Sequence, residues 1–198
     1  MNGSAAIDYN LTQHSPNTVV NVAILGAEST GKTTLCADLA AYFGSQWVPE
    51  YMRTYLQIKW DKEHLTCTWD DLLPIAQGQI ELENTLIKQT AQLPNKNRYL
   101  FCDTSLFELM VYANWYYGDC PKALTKAALA HHYDMVLLTE TDVPWVADDL
   151  RDSPHERKEI SAYFEEKLIQ HNQPFRLIGG DREERVQQVA AWLSEINH

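Results

Sequence analysis

Five short apolar runs recur along the chain, and polar stretches with helical spacing separate them. Each run is continuously apolar rather than alternating, which is typical of strands covered on both faces, as in a parallel sheet. The predicted strands cover residues 19–25, 47–51, 99–104, 135–140 and 175–180. Strands that alternate with helices predict an α/β fold, here a three-layer α/β/α sandwich with a five-stranded parallel sheet.

Helix signals fill the segments between these runs. A Ser or Asp followed three residues later by Glu is typical of a helix start, the capping-box spacing. This spacing occurs at Ser105 and Glu108, and again at Asp181 and Glu184. A longer helical pattern covers residues 69–93. The sequence therefore predicts helices after the third and fifth strands and a long helix between the second and third.

The first eighteen residues are polar and carry no periodic pattern. We therefore interpret residues 1–18 as a flexible leader. The chain has 198 residues, which suits one α/β domain with its own core. We expect that domain to span residues 19–198.

The first predicted strand leads into a segment with the spacing G-x-x-x-x-G-K-T, which is that of a phosphate-binding P-loop. Gly26 and Gly31 let the backbone turn so that N–H groups point at phosphate oxygens. Lys32 can reach the β- and γ-phosphates, and the Thr33 hydroxyl can bind Mg²⁺. The other predicted cradle residues are Glu28, Ser29, Thr30 and Thr34. A strand–helix turn without a ligand is the alternative, but the pattern favours a P-loop NTPase that uses ATP and Mg²⁺.

The net charge of -11 argues against binding to duplex nucleic acid or to a membrane surface, because both are anionic. The four cysteines form no C-x-x-C pair, which makes structural zinc improbable. No signal peptide or membrane-length apolar run is present, so the sequence predicts a cytoplasmic protein. We expect a small molecule as the partner, and the sequence leaves the oligomeric state open.

Polar and aromatic residues follow the second predicted strand in the stretch EYMRTYL. Ligands of such folds bind beyond the carboxyl ends of the strands. We therefore interpret Glu50, Tyr51, Arg53 and Tyr55 as an exit loop that binds the acceptor of the phosphate. A solvated turn with a surface ion pair is the alternative.

The third predicted strand ends at Asp103, where an acid beside a P-loop serves Mg²⁺ or accepts a hydroxyl proton. The sequence does not separate these two roles. A helix cap is the alternative, for which Ser105 is better placed. The following aromatic stretch contains Tyr112 and Trp115, and we expect one of them to line the acceptor pocket. Such clusters more often belong to the core.

A polar loop over about residues 146–157 precedes a helical pattern. Phosphoryl transfer needs cations over the migrating phosphate, and an Arg-bearing lid supplies them. Arg151 is the first candidate and Arg157 the second; a charged surface loop is the alternative. Beyond the fifth strand, Arg182 lies where it could stack on a base, although helix capping would also explain this charge pattern.

Four segments, taken in order, resemble the ribosylnicotinamide kinase domain of NadR-type proteins. They are GAESTGKTTL, VPEYMRTYL, FCDTSLFELMVYANWYYG and PWVADDLRDSP, and the resemblance runs from about residue 19 to the end of the chain. It implies a nucleoside-kinase-like fold and ATP-dependent phosphorylation of the ribose 5'-hydroxyl of nicotinamide riboside, which gives nicotinamide mononucleotide. By position it implies that Lys32 and Thr33 hold MgATP, that Glu50, Tyr51 and Arg53 face the acceptor, that Asp103 serves the hydroxyl or metal, and that Arg151 serves the phosphate.

The chain also departs from the family pattern. Pro49 stands where the family often has an aromatic residue, which leaves the base of the acceptor less defined than its sugar. The chain has no H-x-G-H signature, so we expect no adenylyltransferase activity. Two alternatives remain: a P-loop kinase for another nucleoside-like acceptor, and a non-catalytic nucleotide-dependent binding switch.

Overall fold

The computed structural model describes residues 8–93, 98–145 and 156–196. Five parallel strands form one sheet, in the order β2-β3-β1-β4-β5. The strands are β1 Val20–Leu25, β2 Gln46–Val48, β3 Tyr99–Asp103, β4 Met135–Thr139 and β5 Arg176–Ile178. The predicted five-stranded parallel sheet is confirmed, and each strand overlaps its predicted run.

Seven α-helices lie within the described residues. They are α1 Lys32–Phe43, α2 Tyr51–Glu63, α3 Leu72–Ala91, α4 Leu106–Tyr117, α5 Lys122–Ala130, α6 Arg157–Gln170 and α7 Arg182–Ile196. A short 3-10 turn, Trp69–Asp71, precedes α3, so the long predicted helix begins later than its pattern suggested. None of the helices in the described segments is long and apolar enough to cross a membrane.

The two faces of the sheet are covered by different helices. Successive side chains of a strand point to opposite faces. Val22 and Ile24 pack against α1 and α7, whereas Ala23 and Leu25 face the larger core built with α3, α4, α5 and α6. Both sides of β1 are thus buried, which explains its continuous apolar run and confirms the three-layer sandwich.

The segment predicted as an exit loop is a helix. Tyr51, Arg53 and Tyr55 belong to α2, which begins directly after Glu50. None of the residues of α2 is fully buried, so the helix has no strong apolar stripe that the sequence could reveal. The loop prediction is therefore wrong for these three residues.

Part of the predicted flexible leader is packed against the domain. Leu11 is buried in the larger core, and its carbonyl oxygen lies 2.8 Å from Nε2 of His131. Gln13 Nε2 donates to Glu83 Oε1 at 2.8 Å. The prediction of a flexible leader is wrong for these residues. Leu11 and the partly buried Tyr9, with backbone and amide hydrogen bonds, hold the segment, and this spacing gives no periodic signal.

Candidate nucleotide and acceptor site

The loop after β1 can follow its path only because glycines stand at two positions. Gly26 has φ +145°, and a Cβ there would come 2.2 Å from Oγ1 of Thr139 at the end of β4. Gly31 has φ +85° and caps the start of α1. Thr30 Oγ1 lies 2.6 Å from Thr139 Oγ1 and donates to Ala27 O at 2.7 Å. The end of β4 thus fixes the P-loop that the sequence predicts.

The ammonium group of Lys32 is held at the beginning of this loop. Its Nζ donates to Gly26 O at 2.7 Å and to Ala27 O at 3.1 Å, and lies 3.2 Å from Oε1 of Glu108. Glu108 Oε2 accepts a hydrogen bond from Gly26 N at 3.1 Å. Glu108 is buried. A carboxylate of α4 therefore joins the strand β1, the loop and its lysine.

The capping-box interpretation of Glu108 is wrong. Ser105 does cap α4, since its Oγ accepts from Phe107 N at 3.2 Å. The side chain of Glu108 instead turns toward the P-loop. Sequence reasoning missed this site residue because a Glu three positions after Ser105 has an ordinary role at a helix start. The signal that could have found Glu108 is its position in the sequence shortly after Asp103, which ends a central strand of the sheet.

Three carboxyl groups surround the one ammonium. Burial raises the pKa of Glu108 to about 8; Lys32 opposes this shift, and Glu50 and Asp103 add to it. Burial alone would lower the pKa of Lys32, but the carboxylates of Glu108, Glu50 and Asp103 outweigh it, so this pKa is raised. In a simple ion pair the pKa of the carboxyl would fall. The pKa of Glu108 rises instead because burial, with the charges of Glu50 and Asp103 added to it, outweighs the attraction of Lys32.

Asp103 and Thr33 form a pair of oxygen ligands at the loop. Thr33 Oγ1 donates to Asp103 Oδ2 at 2.5 Å, and Asp103 is buried at the end of β3. The next residue, Thr104, has φ +75°, and its N–H donates to Ile24 O at 3.1 Å. This left-handed residue turns the chain sharply into α4. A hydroxyl and a carboxylate are hard oxygen donors that suit Mg²⁺, so the donor set fits the predicted metal.

A cavity of about 540 Å³ opens beside the loop, a size typical of small-molecule sites. The predicted site residues that line it are Glu28, Ser29, Thr30, Gly31, Lys32, Thr33, Thr34, Glu50, Arg53, Tyr112 and Arg182. Residues outside the predicted set also line it: Leu35, Asp38, Met52, Leu56, Glu108, Val143, Pro144, Gly180 and Arg185. Asp103 lies behind Thr33, outside this lining.

Two predicted acceptor residues on α2 lie elsewhere. The ring of Tyr51 covers Gly78 of α3, where a Cβ would come 2.1 Å from a ring carbon. Tyr55 Oη donates to Asp71 Oδ1 at 3.0 Å. The helix turns these two rings, one turn apart, toward α3 and the 3-10 turn that precedes it. Neither ring lines the cavity, whose wall on this side is formed by other residues of α2.

Trp115 is also outside the cavity lining. Its ring centroid lies 5.2 Å from that of Tyr163 on α6, so Trp115 contributes to packing between α4 and α6. Of the two aromatic candidates on α4, the structure places Tyr112 at the cavity. That Tyr112 contacts the acceptor stays a prediction.

Three arginines surround the P-loop from the other side. Arg182 forms a bidentate pair with Asp38 of α1, through Nε at 2.9 Å and Nη2 at 2.6 Å. Hydrogen bonding to Asp38 raises the pKa of Arg182. Arg157 Nη2 donates to Ser29 O at 3.0 Å, and burial lowers the pKa of Arg157. Arg151 and residues 146–155 of the predicted lid lie outside the described residues.

Arg185 is the buried member of this group. Its Nη1 donates to Thr30 O at 2.7 Å, its Nε donates to Gly180 O at 3.0 Å, and its Nη2 pairs with Asp142. Burial acts to raise the pKa of Asp142, but the hydrogen bond from Gly180 N and the charge of Arg185 outweigh it, so the pKa is lowered. Arg185 thus ties the P-loop to the segments after β4 and β5.

A glycine-dependent loop between β1 and α1, an adjoining lysine and a Thr–Asp pair define a P-loop nucleotide-binding domain. Residues 21–185 match the model of an AAA domain family, AAA_28, and the chain belongs to this family. Over 170 residues the chain is 31% identical to the trifunctional NAD biosynthesis/regulator protein NadR of Escherichia coli strain K12. This match covers 85% of the chain and 40% of that relative's length. The resemblance to NadR-type proteins is confirmed.

Solved structures share the fold. The crystal structure of a NadR protein in complex with NR matches with a TM-score of 0.70 and 21% identity, over 87% of this chain and 51% of that one. Thymidylate kinase from Ehrlichia chaffeensis matches with a TM-score of 0.62 and 13% identity, over 89% of this chain and 98% of that one. The fold is therefore that of P-loop nucleoside and nucleotide kinases.

Proposed function

We propose that this chain is an ATP-dependent kinase that phosphorylates the 5'-hydroxyl of nicotinamide riboside to give nicotinamide mononucleotide. One observation carries the proposal: the P-loop cavity extends past Lys32 to the acidic and basic side chains of Glu50 and Arg53, so that a second molecule fits beside the phosphates. The similarity to NadR supports the acceptor, since a NadR protein has been solved with NR.

The nucleotide side of the site is built from the P-loop. Its backbone N–H groups and the start of α1 offer positive ends to phosphate oxygens. Lys32 supplies a cation that would exchange a loop carbonyl for a phosphate oxygen when ATP binds. Thr33 and Asp103 would hold Mg²⁺, which neutralises charge on the β- and γ-phosphates. Arg151 stays a prediction for a further cation.

The sequence left two roles open for Asp103, namely binding of Mg²⁺ and acceptance of the hydroxyl proton. We assign these roles to two different residues. Asp103 is buried and bonded to Thr33, which supports the metal role. Glu50 lines the cavity at the start of α2 and lies 4.0 Å from Arg53. We assign Glu50 to the reacting hydroxyl. The 5'-oxygen forms a bond to the γ-phosphorus, the bond to the ADP oxygen breaks, and the proton passes to Glu50.

The test is a product assay with purified protein, ATP, Mg²⁺ and nicotinamide riboside, in which mass spectrometry detects nicotinamide mononucleotide. We expect Lys32→Ala to lower the rate by at least about 10²-fold. We expect Asp103→Asn to need more Mg²⁺ for half-maximal rate. Lys59→Ala is the matched control, because Lys59 is ion-paired with Asp71 outside the cavity lining.

Three outcomes separate the alternatives. Product with wild type and with Lys59→Ala, but not with Lys32→Ala, supports the proposal. Transfer only to other nucleosides would keep the kinase and replace the acceptor. Tight ATP binding without transfer to any nucleoside would favour the non-catalytic binding switch.

A further inference from the structure

One polar group in the cavity wall has no partner among the described residues. The hydroxyl of Tyr112 is buried, and no hydrogen-bonding atom lies within reach of it. The residue as a whole is 7% exposed. Buried hydroxyl groups in proteins are nearly always hydrogen-bonded, because leaving one without a partner costs free energy. An unpartnered hydroxyl at a cavity therefore points to a bound molecule.

The ring of Tyr112 is held in place. Its centroid lies 5.3 Å from that of Phe164 in an edge-to-face contact and 5.9 Å from that of Tyr116 in a stacked contact. Aromatic contacts on two sides fix the position of the hydroxyl before any ligand binds. The group is thus preorganised, and a ligand that bonds to it loses little side-chain entropy of the protein.

Glu108 lies one helical turn before Tyr112 on α4, so both side chains share a face of the helix. Both line the main cavity and a small recess that continues from it toward Thr104 and Leu109. Each carboxyl oxygen of Glu108 has one protein partner, Lys32 or Gly26 N, and can accept a second hydrogen bond. Burial raises the pKa of Tyr112 well above its usual value, which keeps its hydroxyl a donor.

We propose that Tyr112 and Glu108 bind two neighbouring sugar hydroxyls of the acceptor and select ribosides over 2'-deoxyribosides. The 2'-hydroxyl accepts from Tyr112 Oη, and the 3'-hydroxyl donates to Glu108. This inference rests on the proposed function for the acceptor class, a nucleoside. Neither role is assigned by the similarity to known proteins, and the sequence analysis did not include Glu108 in the site.

The selectivity has a physical cause. A site built around hydrogen bonds to a hydroxyl rejects an analogue without it, because the protein group is then left buried and unpaired. Met52 and Leu56, the apolar residues of α2 in the cavity wall, cannot replace the lost bond. A 2'-deoxyriboside would leave one of the two polar groups without a partner and bind more weakly.

The experiment compares equilibrium binding of nicotinamide riboside and its 2'-deoxy analogue by calorimetry, with AMP-PNP and Mg²⁺ present. We expect wild type to prefer the riboside by about tenfold or more. Tyr112→Phe removes only the hydroxyl, and we expect this preference to disappear. Tyr116→Phe is the matched control on the same helix and should keep it. An unchanged preference in Tyr112→Phe overturns the inference.

Thermal unfolding separates binding from packing. Because the hydroxyl of Tyr112 has no partner in the described part of the chain, Tyr112→Phe should unfold at the same temperature as wild type or higher. A clear drop would indicate a structural hydrogen bond and overturn the inference. Glu108→Gln gives an independent check: it should weaken binding of the riboside and of its 2'-deoxy analogue alike and leave the preference between them unchanged, because both ligands carry the 3'-hydroxyl.

The result also separates this inference from the proposed function. Riboside preference that Tyr112→Phe abolishes, without phosphate transfer by wild type, would sustain the inference and reject the kinase. Phosphate transfer to nicotinamide riboside, together with an unchanged riboside preference in Tyr112→Phe, would sustain the kinase and reject the inference. Failure of wild type to bind any riboside would overturn both.

Discussion

Two buried glutamates at different parts of the sheet have opposite surroundings. Glu83 of α3 lies near the amino ends of β1 and β4, where its Oε1 accepts from Gln13 Nε2 at 2.8 Å and from Asn21 Nδ2 at 3.2 Å. Its Oε2 accepts from Tyr133 Oη at 2.9 Å. Glu108 lies at the carboxyl edge, beside a lysine, two further acids and a cavity.

The difference shows how a buried acid serves structure in one place and chemistry in another. Both carboxyl oxygens of Glu83 accept hydrogen bonds from protein groups, and this network joins the N-terminal segment to the sheet. At Glu108 the protein supplies more acidic charge than it neutralises, and a nearby hydroxyl has no described partner. Groups that a fold leaves unbalanced beside a cavity are candidates for binding and catalysis.

The strongest test of the comparison removes the structural acid. We expect Glu83→Ala to lower the free energy of unfolding by about 4 kcal/mol, because Gln13, Asn21 and Tyr133 lose their common partner inside the protein. The turnover rate at saturating substrates should not change below the unfolding temperature. Denaturant unfolding and the transfer assay measure the two effects, with Glu81→Ala, an exposed residue of the same helix, as control. If Glu83→Ala lost turnover while its stability stayed unchanged, Glu83 would serve catalysis rather than structure, and it would no longer differ from Glu108 in this respect.

A pH series tests the acid of the site. The folded protein holds a proton on Glu108 up to about pH 8, whereas the unfolded chain releases it near its ordinary value of 4.5. Between these values the folded state binds more protons, so the stability of wild type should fall as the pH rises. Glu108→Gln has no such titration. We expect wild type to lose a few kcal/mol relative to this variant between about pH 5 and pH 8.

Unfolding of both proteins at pH 5, 6.5 and 8 measures this difference. Parallel stability curves would mean that Glu108 stays ionised throughout and that its pair with Lys32 outweighs the other acids. Glu108 would then resemble an ordinary buried ion pair, and the comparison with Glu83 would rest on the cavity alone.

The docking of the N-terminal segment gives a smaller effect. Leu11→Ala should lower the free energy of unfolding by about 2 kcal/mol, because it removes a buried side chain next to Glu83's network. Thr12→Ala, at an exposed neighbouring position, is the control. Equal stability of the two variants, measured by denaturant unfolding, would restore the prediction of a flexible leader.

The smallest effect concerns the exposed pair at the rim of the cavity. Arg182→Ala breaks the bidentate contact with Asp38 and removes a group that could stack on the base of ATP. We expect about threefold weaker ATP binding, measured by calorimetry, and no measurable change in unfolding. A loss of 100-fold or more would show that Arg182 contacts phosphate rather than the base.

Local signals were sufficient for much of the fold. Each strand of the sheet overlaps an apolar run of the sequence, and Gly31, Lys32 and Thr33 of the P-loop spacing line the cavity, with Gly26 at the turn that begins the loop. Asp181 and Glu184 form the capping box that their spacing predicted. These features depend on neighbours within a few residues, which is the range over which sequence patterns carry information.

The errors arose where the partner is distant along the chain. We expected Tyr51 and Tyr55 at the acceptor. Both lie on the face of α2 that points away from the cavity, where Tyr51 contacts Gly78 and Tyr55 donates to Asp71. Trp115 and Tyr112 belong to the same aromatic stretch, and the sequence does not distinguish them. Only the packing of α4 against α6 shows that Trp115 contacts Tyr163 and that Tyr112 contacts Phe164. Arg185 binds a P-loop carbonyl 155 residues away. No local pattern specifies which face of a helix meets a cavity.

The sequence by itself determined the sheet, the phosphate loop and the residue types that suit phosphoryl transfer, because glycine conformations and apolar periodicity act locally. The tertiary structure decided which acids gather around Lys32 and which tyrosine hydroxyl is left at the cavity wall. It also decided that the segment around Leu11 packs on the core. These outcomes depend on burial and charge summed over segments far apart in the chain, and such sums exist only once the chain is folded.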